Sequence, residues 1–264
     1  MPQPVLSVNV NKIAWLRNAR DGNVPNLLDC CEQIIKAGAK SITIHPRPDE
    51  RHIRTTDVYE IDRFLKVEPE VEFNIEGNPL EPANPDSDYP GFKELVLEVL
   101  PTQVTLVPDA NDQLTSDHGW NLSDTKNFTD VCTYVREFQS KGCRTSIFLD
   151  PDLEQCKLVA KTKAARIELF TGPWAELVNS KESTNGESDM LLSAYREVAL
   201  KVREHGLQVN AGHDLNLHNL ETFCRTVPVD EVSIGHALIA DALDMGLSNA
   251  VKAYLQILEE IECV

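Results

Sequence analysis

The sequence predicts a single-domain (β/α)8 TIM barrel that spans residues 1–264. Short apolar stretches alternate with amphipathic stretches eight times along the chain, and eight strand–helix units in about 260 residues match the size of such a barrel. The first strand is followed by Asn9-Val10-Asn11-Lys12 and not by a glycine-rich turn. This disfavours an open, doubly wound sheet, which usually carries glycines at that turn.

Runs of β-branched and apolar residues predict the strands, and apolar residues at 3.6-residue spacing predict the helices. The predicted strands are residues 5–10, 41–45, 72–76, 103–107, 144–149, 166–170, 208–211 and 231–234. The predicted helices are residues 26–37, 56–65, 91–100, 128–141, 153–163, 189–205, 216–227 and 240–262. Glycines 38, 142 and 206 predict the ends of three of these helices. Polar stretches at 77–91, 109–127 and 181–188 are predicted as long loops on the catalytic face.

Composition restricts the function classes. The chain is 42% hydrophobic and 25% charged, which is typical of a globular protein. A formal charge of −17 argues against general nucleic-acid binding and against an anionic membrane surface. The seven cysteines are scattered without a CxxC pair, as expected of reduced thiols. Without a signal-peptide pattern or a membrane-spanning apolar run, we expect a cytoplasmic protein.

A basic segment directly follows the second predicted strand. His45, Arg47, Arg51 and His52 fall within eight residues, and Pro46 and Pro48 hold that backbone extended. A titratable imidazole at a strand end with cations beyond it is typical of a site for a phosphorylated substrate. The alternative is a solvated loop that happens to be basic.

Polar residues also lie at or just after the ends of the seven remaining predicted strands. In barrels of this kind the catalytic residues lie at these strand ends. The residues at the remaining strand ends are Asn9, Glu76, Asp109, Asp150, Glu168 with Thr171-Gly172, Gly212-His213-Asp214 and Gly235-His236. Each also has a structural interpretation: His45 as a core histidine, Glu76 or Glu168 as an ion-pair partner for an arginine, and His236 as a helix cap. Gly235-His236 before a helix is typical of a phosphate site made by backbone N–H groups.

A metal site is a competing interpretation of the same residues. His45, His213, His236 and Glu76 are residue types that bind zinc. No HxH or HExxH pattern occurs in the sequence, so the sequence favours a site without metal.

Seven motifs follow one another over nearly the whole chain: NVNKIAWLRNAR at 9–20, IHPRPDERHI at 44–53, NIE at 74–76, LVP at 106–108, ELFTG at 168–172, VNAGH at 209–213 and IGHA at 234–237. Together and in this order, they resemble the pyridoxine 5'-phosphate synthase family of vitamin B6 biosynthesis.

The resemblance implies a homo-octamer of (β/α)8 barrels. It implies a transferase that condenses 3-amino-2-oxopropyl phosphate with 1-deoxy-D-xylulose 5-phosphate to pyridoxine 5'-phosphate, releasing phosphate and water, without a cofactor. The acid/base residues would be His45, Glu76 and His213, with Glu168 as an auxiliary stabilising group. The amino-ketone phosphate would be bound by Asn9, Arg20, Gly235 and His236. The sugar phosphate would be bound by Arg47, His52 and Thr115.

The chain departs from the family pattern at three positions. Asn11 and Lys12 stand where the family has Asp-His facing the sugar phosphate, and Asp214 stands where it has a glycine that binds through its backbone. Lys12 is able to hold a phosphate or ketone oxygen, or to form an imine with a carbonyl substrate. A carboxylate at 214 would repel a phosphate.

These departures keep three hypotheses open. The first is a divergent pyridoxine 5'-phosphate synthase. The second is a relative that uses Lys12 on another phosphorylated carbonyl compound. The third is a non-catalytic protein that binds phosphorylated metabolites, which the retained His45, Glu76 and His213 argue against.

Overall fold

The computed structural model, which describes residues 3–110, 113–180 and 185–261, confirms the predicted barrel. Eight parallel strands pair in sequence order, and the last pairs with the first, so that Val8 lies beside both Ile42 and Ile234. The strands are β1 (Val5–Asn9), β2 (Ser41–Ile44), β3 (Glu72–Gly77), β4 (Gln103–Leu106), β5 (Arg144–Leu149), β6 (Arg166–Leu169), β7 (Gln208–Ala211) and β8 (Glu231–Ile234). All eight carboxyl ends therefore meet at one mouth of the barrel.

Helices surround the barrel between the strands. They are α1 (Asn11–Asn18), α2 (Leu27–Lys36), α3 (Thr55–Leu65), α4 (Phe92–Val99), α5 (Thr125–Ser140), α6 (Leu153–Thr162), α7 (Gly172–Asn179), α8 (Asn185–Glu204), α9 (Leu220–Thr226), α10 (His236–Met245) and α11 (Leu247–Glu259). Side-chain caps begin several of them, as when the Asn26 side chain accepts the Asp29 N–H at 3.1 Å. None of the described helices is both long enough and apolar enough to cross a membrane.

Several element predictions were wrong in detail. Helices α1 and α7 were not predicted, because both begin within two or three residues of a strand and were interpreted as loop. The predicted helix 240–262 begins earlier, at His236, and is two helices that meet at Gly246, where φ is +83°. The predicted helix 216–227 is shorter in the structure, where only α9, Leu220–Thr226, is helical. Of the predicted loop 181–188, residues 181–184 lie outside the described residues and 185–188 belong to α8.

The interior of the barrel is polar, whereas barrel interiors are usually filled by branched apolar residues. Ser7 bonds the hydroxyl of Thr43 at 2.7 Å, Asn74 donates to the same hydroxyl at 3.2 Å, and Thr105 donates to Asn74 at 3.1 Å. Residues of one strand alternate between the two faces of the sheet. The apolar residues of the strands therefore face the helices, where they form the main core.

Candidate active site

A cavity of about 310 Å³ opens at the mouth where the strands end. It is lined by all of the predicted site residues except Arg20: Asn9, Asn11, Lys12, His45, Arg47, His52, Glu76, Thr115, Glu168, His213, Asp214, Gly235 and His236. Their convergence follows from the topology, because the carboxyl ends of all eight strands lie at this mouth.

Arg20 does not line this cavity. It lies two residues beyond the end of α1 and is exposed to solvent. Its predicted contact with a phosphate stays a prediction.

Two buried carboxyl groups, on β3 and β6, form the floor of the cavity. Burial, together with the nearby Glu168 and Asp109 charges, raises the pKa of Glu76 well above its usual value. Burial and then the Glu231 charge raise the pKa of Glu168 to about 8. Both groups therefore favour the protonated form at neutral pH, in which a carboxyl group can give a proton as well as accept a hydrogen bond.

His45 follows β2 and lies beside Glu76, with its Nδ1 4.0 Å from Glu76 Oε2. Burial, together with the positive charge of Arg47, holds the pKa of His45 well below its usual value, so the ring is neutral. Asn11 fixes this strand end, because its side-chain oxygen accepts the His45 backbone N–H at 3.0 Å. Asn9 in turn accepts the Asn11 N–H at 3.0 Å and donates to Glu76 Oε2 at 3.4 Å.

The tautomer of His52 is set by the backbone. Its Nδ1 accepts the N–H of Ile53 at 2.9 Å. Burial, then the Arg47 charge, lowers the pKa of His52 to about 3, so the ring is neutral and its proton is on Nε2. The ring is thus a donor that suits a phosphate oxygen.

Cations border the same side of the cavity. Arg47 is buried and forms an ion pair with the buried carboxylate of Asp109. The guanidinium groups of Arg47 and Arg51 also donate to the Gln113 carbonyl, at 3.4 and 3.0 Å. Asp109 and Gln113 belong to the connection between β4 and α5, so these two arginines hold that connection over the cavity.

Lys12 lies in the first turn of α1 and not in a turn outside a helix. Its Nζ is 4.4 Å from the centroid of the Trp15 ring, a cation–π contact. Burial, then the positive charges of Arg47 and Arg51, lowers the pKa of Lys12. A lysine that loses its proton more easily is a better nucleophile, but is still a suitable point charge for a phosphate.

His213 and Asp214 also line the cavity, on the turn after β7. Asp214 Oδ2 lies 2.9 Å from Nδ1 of His213, and Thr115 Oγ1 lies 3.1 Å from Nε2. The ring packs against Phe170 at a centroid distance of 5.0 Å. The Asp214 carboxylate thus has an imidazole as its partner, and its predicted repulsion of a phosphate stays a prediction.

The start of α10 completes the site. His236 is its first residue, and Gly235 lies immediately before it. Gly235 packs closely against Asn9: a Cβ added at position 235 would lie only 3.1 Å from the Asn9 Cβ. Asn9, Gly235 and His236, which were predicted to bind the phosphate of the amino ketone, are therefore neighbours. They lie at a helix N-terminus, where backbone N–H groups favour an anion.

Asp109 was expected near the end of the fourth strand, with no role assigned to it. In the structure it is the partner of Arg47 and accepts a hydrogen bond from Ser116 Oγ at 2.8 Å. Ser116, Ser233 and Phe148 also line the cavity without having been predicted. The signal for Asp109 was its position shortly after the end of β4, the same kind of signal that identified the other strand-end residues.

The metal alternative lacks a ligand set. Across the described parts of the chain, no group of three or more His, Cys, Asp or Glu side chains converges in a way that could hold a metal ion.

Comparisons with known proteins point to one family. The family model described as pyridoxal phosphate biosynthesis protein PdxJ matches residues 6–260. A protein of Porphyromonas gingivalis named pyridoxine 5'-phosphate synthase is 48% identical over 252 residues, which cover 94% of this chain and 96% of the relative. A protein of the same name from Xanthomonas campestris is 46% identical over 254 residues, covering 96% and 95%.

Solved structures agree in fold. Phosphoribosyl anthranilate isomerase from Thermotoga maritima has a TM-score of 0.57 at 11% identity, with 97% of this chain and 98% of that chain covered. A 3-hexulose-6-phosphate synthase also has a TM-score of 0.57 at 11% identity, with 95% and 99% covered. At this identity the likeness concerns the barrel fold alone.

Proposed function

This chain belongs to the PdxJ family of pyridoxal phosphate biosynthesis proteins, and from that membership we propose that it is a pyridoxine 5'-phosphate synthase. The proposed reaction condenses 3-amino-2-oxopropyl phosphate with 1-deoxy-D-xylulose 5-phosphate and releases phosphate and water as the pyridine ring forms.

One observation supports this function above the others. His45, Glu76 and His213 come from three different strand ends, yet all line one cavity, which is bordered by cations on one side and by a helix N-terminus on another. Ring formation from two phosphorylated ketones needs repeated proton transfers at the reacting atoms, while the phosphate groups of both substrates are held in place. The cavity offers groups for both tasks.

The roles proposed for the proton-transfer residues follow from their protonation states. Neutral His45 suits a general base, and the protonated carboxyl of Glu76, beside it, suits a general acid that assists loss of a hydroxyl group as water. Glu168 lies beside Glu76 on the buried floor of the cavity, and it would stabilise charge that develops on the reacting atoms next to Glu76. His213 lines the same cavity and would act through its Nε2.

Two phosphate subsites are proposed. Asn9, Gly235 and His236 would bind the phosphate of the amino ketone at the start of α10, with Arg20 as a further predicted contact. The sugar phosphate would lie against Arg47, His52 and Thr115, with the Thr115 hydroxyl next to the ring of His213. There Lys12 would supply a point charge, while Asn11 acts by holding the end of β2.

The assay that tests this function gives the purified protein both substrates, with the amino ketone generated freshly because it is unstable. Pyridoxine 5'-phosphate is identified by absorbance and mass, and reactions that lack either substrate serve as controls. We expect product only when both substrates are present. A folded protein that makes no product would refute the proposal.

The lowered pKa of Lys12 supports a second candidate, in which this lysine forms an imine with another phosphorylated carbonyl compound. Reduction of an imine by cyanoborohydride, followed by peptide mass spectrometry, distinguishes an imine-forming Lys12 from a Lys12 that only contacts a phosphate. An adduct on Lys12 during turnover would favour the second candidate. Turnover without an adduct, retained in Lys12→Arg, would favour the role of a phosphate contact.

A further inference from the structure

The hydrogen bond between Asp214 and His213 assigns the position of a proton. Asp214 Oδ2 and His213 Nδ1 are 2.9 Å apart. The hydrogen bond from His213 lowers the pKa of Asp214, so its carboxyl group is ionised at neutral pH and is only an acceptor. The ring nitrogen that faces it must therefore be the donor, and Nδ1 of His213 carries the proton.

The other nitrogen of the ring faces a residue of the cavity. His213 Nε2 lies 3.1 Å from the hydroxyl of Thr115, which is free to rotate and act as the donor. With the proton on Nδ1, the neutral ring has its lone pair on Nε2. The nitrogen able to take a proton from a bound substrate is thus the one at the cavity.

The backbone of this turn holds the pair in place. Asp214 has φ of +63°, in the left-handed region that Asp and Asn tolerate better than most residues. The Thr171 hydroxyl donates to the His213 carbonyl, and Asn219 Nδ2 donates to the Asp214 carbonyl at 3.3 Å. Contacts from the β6 end and from the start of α9 therefore fix both residues.

We propose that Asp214 is a positioning residue that holds His213 in the Nδ1–H tautomer and stabilises its imidazolium form. The proposal rests on the synthase function proposed above and refines it. When His213 takes a proton from substrate on Nε2, the ring becomes a cation with a carboxylate 2.9 Å from its other nitrogen. The same carboxylate is also near the imidazole of His236 at the proposed phosphate site.

Two substitutions separate this role from a purely structural one. Asp214→Gly removes the carboxylate and is fully compatible with the positive φ. Asp214→Asn keeps the shape and tolerates the same φ, but removes the charge and permits the opposite tautomer. We expect kcat of both variants to fall about tenfold or more, part of the 10²–10⁴-fold that positioned acid–base groups contribute. Thermal melts should stay close to those of the unsubstituted protein.

Chemical rescue supplies a readout that a structural role would not change. Formate is small enough to occupy the space that the Asp214 side chain leaves in Asp214→Gly. We expect formate, but not chloride at equal ionic strength, to raise kcat of this variant in a concentration-dependent way, while it leaves the unsubstituted protein unchanged or inhibited. A loss of kcat without rescue would overturn the proposal.

The tautomer can also be measured without any activity. In protein labelled with ¹⁵N-histidine, solid-state NMR over a pH series distinguishes the two neutral tautomers, and His213→Gln identifies the signal of His213. We expect the Nδ1–H form in the unsubstituted protein and a shift towards the Nε2–H form in Asp214→Gly. The proposal is overturned if the tautomer is the same in both, or if both variants keep full kcat. Absence of synthase turnover in the unsubstituted protein would instead refute the proposed function, and the NMR result would still decide the tautomer.

Discussion

Glu168 has one carboxyl oxygen, Oε2, that is buried with no hydrogen-bond partner among the described residues. A charge there would be costly, which is why burial raises the pKa of this group from 4.5 to about 8. The folded protein keeps this proton up to about pH 8, whereas the unfolded chain loses it near pH 4.5. Unfolding therefore releases a proton in that window, and stability falls as pH rises through it.

Glu168→Gln removes this titration. We expect the free energy of unfolding of the variant minus that of the unsubstituted protein to increase steadily between pH 4.5 and about 8, so that the variant becomes relatively more stable. Urea unfolding at a series of pH values measures it, and Glu60→Gln on an exposed part of α3 is the matched control. A difference that does not change with pH would show that Glu168 is ionised in the folded state.

Arg47 provides a residue-scale test of the two proposed phosphate subsites. Arg47→Lys keeps the charge beside Asp109 but removes the planar donor pair that fits a phosphate. We expect KM for 1-deoxy-D-xylulose 5-phosphate to rise about tenfold or more, the effect of losing charge-assisted hydrogen bonds, while KM for the amino ketone changes little. Arg63→Lys, on the exposed face of α3, is the control. Equal increases in both KM values would contradict the assignment of Arg47 to one subsite.

Which residues gather at the site could be predicted, and their protonation states could not. The strand ends of a parallel barrel lie at one mouth, so His45, Glu76 and His213 were identifiable from position alone. The proton on Nε2 of His52 depends on the Ile53 N–H, and the pairing of Asp214 with His213 depends on a positive φ. Neither is visible in residue types.

At the scale of elements, α1 carries Lys12 and is held in place by one buried ion pair. Arg17 of α1 pairs with Asp57 of α3, with 3% and 6% of the two side chains exposed, and also donates to the His52 carbonyl at 3.2 Å. Asp57 additionally accepts the Arg54 N–H at the start of α3, at 2.8 Å. This pair therefore ties together two elements and the segment that carries His52.

Arg17→Met should destabilise the protein strongly, because it leaves the Asp57 carboxylate buried without its cation. Breaking a buried pair in this way costs about 3–5 kcal/mol. Lys36→Met breaks an exposed pair within α2, with 69% and 53% of the side chains exposed, and should cost about 0–1 kcal/mol. Urea unfolding compares them. Equal losses would mean that the Arg17 pair adds nothing beyond a surface contact.

The missed helices have a common cause. Only Val10 separates β1 from α1, and only Phe170 and Thr171 separate β6 from α7, so no recognisable loop marks where a strand pattern becomes helical. The division between α10 and α11 did carry a signal, because Gly246 lies inside the apolar pattern that predicted a single helix.

At the scale of the whole molecule, strand number, order and closure were predictable from the alternation of patterns. The polar interior was not predicted, although Ser7 and Asn9, Ser41 and Thr43, and Asn74 and Glu76 alternate with apolar neighbours in their strands. Those strands were predicted only from their runs of β-branched and apolar residues. The two-residue period shows which face is polar, but not that this face lines the interior, which depends on closure of the barrel.

A homo-octamer remains a proposal that rests on the family to which the chain belongs. Size-exclusion chromatography with light scattering at several protein concentrations measures it, with an expected mass eight times that of the chain. A monomer at all concentrations would contradict the proposal.

The central claim is that this cavity carries out ring-forming condensation by proton transfer, and Glu76→Gln tests it most directly. Gln has nearly the shape of the protonated carboxyl group but cannot give or take a proton in the reaction. In the synthase assay, we expect kcat to fall by about 10²-fold or more, with little change in either KM, while His205→Asn, at an exposed position directly after α8, keeps full activity. Wild-type turnover by folded Glu76→Gln would contradict the account.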